Sequence, residues 1–426
     1  MDSLVLLLFI SFLVLLMFGV PVAYALGISS LFYLLGAGID LFAIPQKMYS
    51  GIDSFVLLCI PGFVLAGNLM NVGGITQRIV HFANACLGHI TGGLGLANVG
   101  SSMVFAGISG TAVADTASVG GIMIPAMQKA GYDTEFSCAI TAASSTIGPI
   151  IPPSVPMIIA GTLTGISVGK LFIGSMIPGI LIGLFQMVVC YYLSKKRKYP
   201  KESRKTVKEI FTAFKSAFWA ILMTIIILVG ILGGIATPTE ASIIAVIYAL
   251  IIGLFVYKEL KISMLPKIFA ESAGSAASIL ILVGFANVFA WILASEQIPQ
   301  IIANGILEIS TNKLIVLLLI NILLLFVGMF METISALVIL FPVLLVVTRQ
   351  LGINDIQFAI MAVLNLIIGL VTPPVGVCLF IASNIGKISL SKISRAIAPF
   401  LLANLLVLLL VTYVPAITLW LPSIFK

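Results

Sequence analysis

The sequence predicts an all-α integral membrane protein built as two inverted-topology repeats, each with a re-entrant helical hairpin and a broken helix. Three observations lead there: the apolar composition, the recurrence of apolar runs, and an internal repeat at a shift of 221 residues. Of 426 residues, 61% are hydrophobic and only 9% are charged, with a mean hydropathy of +1.24. A soluble domain cannot hide that much apolar surface, whereas hydrocarbon accepts it. The runs Leu4–Phe18, Leu222–Ile235, Ile279–Leu293, Leu314–Phe330 and Leu401–Val414 span the chain, so it is membrane-embedded throughout.

The elements follow in order. Leu4–Phe18 comes after Met-Asp-Ser, without a basic leader, and is expected to stay as the first span. The dense basic run from Lys195 to Lys208 marks a cytoplasmic loop, 195–215, because Lys and Arg resist translocation. Five crossings precede it, at about 4–18, 21–37, 52–70, 134–165 and 170–194, which places the N-terminus outside. Segments 91–128 and 313–348 are too Gly-rich or interrupted for single spans and read as re-entrant hairpins. After the loop come 217–236, 239–257, 272–294, a broken 354–385 and 396–420, leaving the C-terminus outside. In this arrangement only Lys47, Lys170, Lys313, Arg349 and Lys426 of the 22 basic residues fall outside. Five cysteines without CxxC spacing read as small packing residues. His81 and His89, without metal-ligand spacing, read as interfacial anchors.

Ile147-Gly-Pro-Ile-Ile-Pro-Pro153 matches Ile368-Gly-Leu-Val-Thr-Pro-Pro374 at the shift of 221, which also pairs Phe105 and Gly107 with Phe326 and Gly328. A shared register across hairpin and break marks a duplication. Five crossings per half make the copies antiparallel: 1–194 and 216–426 are the two repeats. Inverted repeats with interrupted helices are the usual build of secondary transporters, with the solute near the midplane.

The interruptions carry the chemistry. In Ser144-Ser-Thr-Ile-Gly-Pro-Ile-Ile-Pro-Pro-Ser154, prolines remove backbone donors and Gly148 relaxes the dihedrals. Carbonyls orphaned in hydrocarbon must be satisfied, and Na⁺, a hard cation that accepts neutral oxygens, suits them. Asn365–Gly376 repeats the device. At the hairpin tips, Gly107–Asp115 and Gly328–Ser335 supply small residues, hydroxyls and helix N-termini that favour anions. Asp115, Glu240 and Glu332 are acids in apolar surroundings; Thr237-Pro-Thr-Glu240 reads first as a capping box, while Asp115 and Glu332 either hold the tips or serve ion or solute.

These motifs, with Gly19-Val-Pro-Val-Ala23, Ala66-Gly-Asn-Leu-Met-Asn-Val-Gly-Gly-Ile75 and Ala236-Thr-Pro-Thr-Glu-Ala241, resemble the large membrane subunit of the tripartite ATP-independent periplasmic (TRAP) transporters nearly end to end. Two mild departures are Gly62, where a bulky apolar residue is usual, and Thr111, where Ser is common. The resemblance implies an elevator-type carrier of the ion-transporter superfamily, importing a small organic anion (a C4-dicarboxylate, a sialic acid or another sugar acid) with two or more Na⁺. It implies a separate four-helix small subunit, a soluble periplasmic binding protein and a bacterial inner-membrane location. Carried onto this chain, one Na⁺ site joins Ser109, Gly110 and Thr111 to Ser144, Ser145 and Gly148. The other joins Glu332, Thr333 and Ser335 to Gly369 and Thr372. Solute contacts are expected from Ser109, Asp115, Pro152, Ser154, Thr333, Asn365 and Pro373. The moving domain would be 91–165 and 313–385, with the scaffold formed by about 1–70, 170–194, 217–294 and 396–420.

A stand-alone cation-coupled carboxylate carrier of the same design is the alternative. The sequence offers no HExxH, no plausibly placed Ser-His-Asp set and no Walker A motif, so an enzyme or an ATP-driven pump is not expected. Cysteines introduced as Ser203→Cys and Ser310→Cys should be labelled by impermeant maleimide from the inside and the outside respectively; the reverse pattern would overturn the topology.

Overall fold

A computed structural model describes residues 3–424, with the side chains of all but Ser109, Leu307 and Ile309; Lys426 of the topology argument lies outside the described residues. The first half opens with α1 (Ser3–Met17) and α2 (Val22–Ala37), parted at Gly19, whose φ of +78° and the following Pro21 end one helix and start the next. Next come α3 (Ala43–Ile52), α4 (Cys59–Val72) and α5 (Ile75–Leu87). The hairpin α6 (Gly93–Ser109) and α7 (Ala112–Lys129) leads into the broken helix α8 (Thr134–Ser145) and α9 (Val155–Thr164), and α10 (Val168–Arg197) closes the half. The second half runs α11 (Val207–Leu232), α12 (Pro238–Ile251), α13 (Leu265–Ser295) and α14 (Ile298–Ile309). Its hairpin is α15 (Lys313–Phe330) and α16 (Thr333–Gln350), its broken helix α17 (Asp355–Gly369) and α18 (Val377–Gly386). Short α19 (Leu390–Ala396), α20 (Ala398–Tyr413) and α21 (Ala416–Ile424) finish the chain.

Among the described residues seven helices are long and apolar enough to cross a membrane, and up to nine if each of two bent pairs counts as one span. Many large apolar side chains face outward, among them Leu6, Ile10, Leu13, Phe255, Leu402 and Leu406, as a lipid-facing surface requires.

The duplication is visible in the elements. Adding 221 to the bounds of α7 gives those of α16, and α5, α6, α8 and α9 map onto α14, α15, α17 and α18 within three residues. Packing is reciprocal as well. Helix α9 lies on α16 and α17 while α18 lies on α7 and α8, and α4 lies on α12 while α13 lies on α2. Such exchange of partners is what a two-fold relation between the copies produces. The copies differ where α3 and α4 are parted near Asp53 and Ser54, whereas their counterpart α13 runs unbroken for 31 residues.

Packing corrects the grouping expected from the sequence. Segments 170–194 and 396–420 were expected in the scaffold, yet α10 packs on α6, α17, α20 and α21, and α20 packs on α8 and α17. Buried amides fix this arrangement: Gln186 of α10 donates to Asn404 Oδ1 (2.8 Å) and to Ala143 O (2.9 Å). The hairpins, broken helices, α10, α20 and α21 thus form one bundle, and α1–α4 with α11–α13 form the other group. Between them run α5, α14 and the 198–206 linker. Neither α5 nor α14 was foreseen. Helix α5 buries Ile75, Ile79, Val80 and Ala83 and exposes Gln77 and His81, an amphipathic pattern too polar to register as a span. It is fastened to the end of α12 by Arg78, which pairs with Glu259 at 2.6 Å and lies over the Tyr257 ring at 4.0 Å.

Thr237 and Glu240 form the expected capping box, with Thr237 N donating to Glu240 (2.7 Å) and Glu240 N to the Thr237 hydroxyl (3.2 Å). All five cysteines are free, and four are buried.

At the α7–α8 turn, Asp133 accepts from the Tyr199 hydroxyl (2.7 Å) and from Arg197 Nη1 (2.7 Å). The Tyr199 hydrogen bond first, and then Arg197, hold this carboxyl below the ordinary aspartate value. Its stabilisation is therefore complete above the unfolded pKa of about 3.9 and is lost as pH falls through the lower folded value. Asp133→Asn should cost less than about 1 kcal/mol of stability at pH 7, a slight drop in melting temperature, because the pair is half-exposed. The difference from wild type should shrink as the pH is lowered through the carboxyl's depressed folded-state value; a deficit that does not change with falling pH would refute the assignment.

Candidate functional site

Each hairpin tip abuts the break of its own broken helix. Gly110, at φ +60°, sits where a Cβ would meet Pro153 O at 3.0 Å. In the second half Gly328 and Gly369 pack backbone to backbone, and a Cβ on Gly328 would meet Leu366 O at 3.0 Å. Gly376 N donates to Met329 O at 3.4 Å. Both tips thus end beside the break of a broken helix.

At equivalent positions, Thr111 and Glu332 cap the second arms. Thr111 accepts from Ala114 N (3.3 Å), and Glu332 accepts from Ile334 N (3.0 Å) and Ser335 N (3.2 Å). Two orphan amides of α16 are satisfied by that carboxylate, which assigns Glu332 a tip-holding role. Asp115 is different. It is fully buried one turn into α7, and neither carboxylate oxygen has a hydrogen-bond partner among the described residues. The Ser102 hydroxyl lies beside it but donates to Ser144 Oγ (3.0 Å). Cys378 of α18 adjoins Asp115, Thr116 and Ser145, so three elements from both halves meet around this carboxylate.

Within the breaks the backbone is partly satisfied. Ile147 N, Gly148 N and Ile150 N donate to the carbonyls of Ser144, Ser145 and Ile147 at 3.0–3.2 Å, and Cys378 N donates to Leu370 O at 3.1 Å. Among the described residues no hydrogen bond reaches the carbonyls of Thr146, Gly148, Val371 or Thr372. The expectation that the breaks strip several carbonyls therefore holds for part of each. The Pro152–Pro153 and Pro373–Pro374 peptide bonds are both cis.

The remaining expected residues divide. Ser145 and Thr372 hydroxyls donate back to Ala142 O and Ile368 O, both at 2.7 Å, which leaves their lone pairs for a ligand. Thr333 Oγ1 is buried without a partner among the described residues; Ser335 is also buried. Asn365 donates to Asn321 O (2.9 Å) and Oδ1 (2.7 Å) while its own Oδ1 is unpartnered. Ser154 is committed to structure: its hydroxyl donates to Pro149 O and accepts from Met157 N (3.3 Å), capping α9. Pro152 is buried and Pro373 half-buried in the breaks. Ser109 ends α6, and its side chain lies outside the described residues.

A cleft of about 280 Å³ opens between the first tip and the other helix group. Thr111, Ala114 and Ser118 line one wall; Asn68 and Asn71 of α4 and Ser275 of α13 line the other. The second wall was missed in the sequence, although Asn68 and Asn71, three residues apart in an apolar helix, form a polar stripe. Asn68 donates to Ser272 at 2.8 Å, joining α4 to α13. No Lys, Arg or His lines this cleft, so helix N-termini, amides and hydroxyls are what it offers an anion.

The family model of the DctM component of tripartite ATP-independent periplasmic transporters matches residues 9–417. The chain belongs to the DctM family. It is 43% identical over 413 residues to the sialic acid TRAP transporter large permease protein SiaM of Vibrio cholerae serotype O1, covering 96% of each chain. It is 40% identical over 377 residues to the C4-dicarboxylate TRAP transporter large permease protein DctM of Pseudomonas aeruginosa, covering 88% of each. The fold is also that of the YdaH transporter of Alcanivorax borkumensis, with a TM-score of 0.61, 16% identity and coverage of 89% of this chain and 86% of that one. As a DctM component this chain is a multi-pass membrane permease.

Because Gly369 leaves no room for a side chain against Gly328, Gly369→Ala should destabilise the detergent-solubilised protein by about 1–3 kcal/mol. Gly121→Ala, where nothing lies within 4 Å of the added carbon, should leave the melting temperature unchanged. Equal stability of the two variants would refute the close approach.

Proposed function

We propose that this DctM protein imports a small organic anion, a sialic acid, C4-dicarboxylate or related carboxylate, by Na⁺-coupled elevator transport. It works as the large permease of a tripartite system with a separate small membrane subunit and a periplasmic binding protein. The names of its relatives support the solute class, and the carriage of the solute by a binding protein follows the family. The observation that supports the cation is Asp115, a buried carboxylate that has neither a hydrogen bond nor a basic partner among the described residues. An uncompensated charge at such depth is expensive, and a bound cation removes the cost.

Na⁺ would draw on Ser145 and neighbouring break carbonyls in the first half, and on Thr333, Thr372 and break carbonyls in the second. The cation then offsets the solute's negative charge in a cleft without basic side chains, so ion and anion bind better together than apart. The bundle of hairpins, broken helices, α10, α20 and α21 moves against the α1–α4 and α11–α13 group, carrying the solute between faces. The termini face the periplasm and the 195–215 loop the cytoplasm of a bacterial inner membrane.

Uptake in proteoliposomes holding this chain, its small subunit and the loaded binding protein tests the reading. Asp115→Asn, Ser145→Ala and Thr372→Ala should each raise the Na⁺ concentration for half-maximal uptake roughly tenfold, the change that about 1.4 kcal/mol of lost cation binding produces. Unchanged Na⁺ dependence in all three would sink the cation sites, and equal uptake without the binding protein would favour a stand-alone carrier.

A further inference from the structure

Away from the solute cleft, a second cavity of about 340 Å³ lies between α5 and the start of α11. His81 and Asn84 of α5 line one side, and Lys205, Lys208, Glu209 and Thr212 line the other. The cavity carries both signs of charge, and its acidic groups are already engaged. Glu209 accepts from Thr206 N (2.7 Å) and the Thr206 hydroxyl (2.8 Å) as the cap of α11. Glu202, at the edge, accepts from Asn84 Nδ2 (3.0 Å) and faces Lys205 at 3.8 Å. No carboxylate lies within ion-pair distance of Lys208 among the described residues. Asn84 Oδ1 is buried and accepts no hydrogen bond among them.

The ends of this cavity therefore ask for different things. The Lys208 ammonium, with that of Lys205 shared with Glu202, calls for an anion, whereas the amide oxygen calls for a hydrogen-bond donor. The same two turns of α11 leave Val207 and Phe211 85% and 65% exposed, and Phe214 meets Phe82 of α5 with ring centroids 5.7 Å apart. Apolar surface beside a polar cavity at the start of a membrane helix fits a molecule with a zwitterionic head and a hydrocarbon tail. We propose that this cavity binds a phospholipid through an amine-bearing phosphate headgroup. The phosphate is held by Lys205 and Lys208, the ammonium donates to Asn84 Oδ1, and the acyl chains run along Val207 and Phe211. Basic pockets at the membrane face that hold phosphate headgroups follow the same electrostatics. The occupant joins α5 to α11, two elements at the boundary between the helix groups.

Native mass spectrometry of the detergent-solubilised chain tests this, with phosphatidylethanolamine, phosphatidylcholine and phosphatidylglycerol titrated separately. Phosphatidylethanolamine should be retained better than phosphatidylcholine, whose quaternary nitrogen has no proton to donate. Lys205→Gln with Lys208→Gln should weaken its retention about 25-fold, roughly fivefold for each lysine. Lys195→Gln with Lys196→Gln, in the same basic run but outside the cavity, should leave it unchanged. Equal retention of phosphatidylethanolamine and phosphatidylcholine, or equal losses in both double variants, would overturn the proposal. So would binding of soluble phosphoethanolamine without retention of the lipid, or preferential retention of phosphatidylglycerol.

Discussion

A main-chain carbonyl without a partner in hydrocarbon costs several kcal/mol, and this chain creates that problem twice, in the middle of spans it could have left helical. The rest of the architecture answers it. Turn bonds recover some carbonyls, the α18 amide of Cys378 recovers Leu370 O, and each hairpin tip presses its glycine backbone against the neighbouring break. Helices α10 and α20 close over the first break as well, with Gly179 against Ile150 and Ile151 and Asn404 donating to Thr146. Each two-residue tip satisfies orphan amides of its second arm with its own cap, Thr111 or Glu332.

The two halves meet this shared constraint with different side chains. The first break is lined by hydroxyls, and its hairpin is joined to it through Asn98, which donates to Thr141 at 2.6 Å, and through the Ser102–Ser144 bond. The second uses amides, Asn321 and Asn365, with Asn321 donating on to Thr412 at 3.0 Å. The first tip is capped by a neutral hydroxyl and carries its acid one turn later; the second is capped by the acid itself. Glu332 is held by backbone amides, whereas Asp115 has no hydrogen-bond partner among the described residues, so the two tips hold their carboxylates by different means.

Much of this was legible in the sequence, because proline, glycine and a fixed repeat constrain the backbone directly. Pro149, Pro152 and Pro153 cannot lie in an unbroken helix, and Pro373 and Pro374, 221 residues after the last two, repeat the break. The family followed from the same motifs. What the sequence withheld was pairing. Helices α10 and α20 read as ordinary apolar spans, and it is their packing on α6, α8 and α17, with Gln186 donating to Ala143 O, that assigns them to the bundle. Helices α5 and α14 failed a hydropathy test because half of an amphipathic helix is polar. Ser154, read from the sequence as a solute contact, also caps α9, a role that local sequence does not distinguish because a hydroxyl can serve either end.

Moving α10, α20 and α21 into the bundle changes what the proposed elevator must do. A bundle of hairpins and broken helices alone would slide against α10 and α20, and that interface would have to break the buried amide contacts of Gln186 and Asn404 in each cycle. With those helices inside, the amides would stay intact and the sliding surface of the proposed elevator would be the one toward α4, α11 and α13, where Gly107 faces Thr224 and Gly67, Ala114 and Ala117 line the cleft. A surface with few long-lived polar contacts is easier to shift than one with buried amides. The displacement then falls on three connectors, α5, α14 and the 198–206 linker. Two are amphipathic helices that can ride at an interface with one face in lipid. The third is pinned at Tyr199 to the bundle and at Glu202 to α5, so it has only a short free stretch before α11 begins.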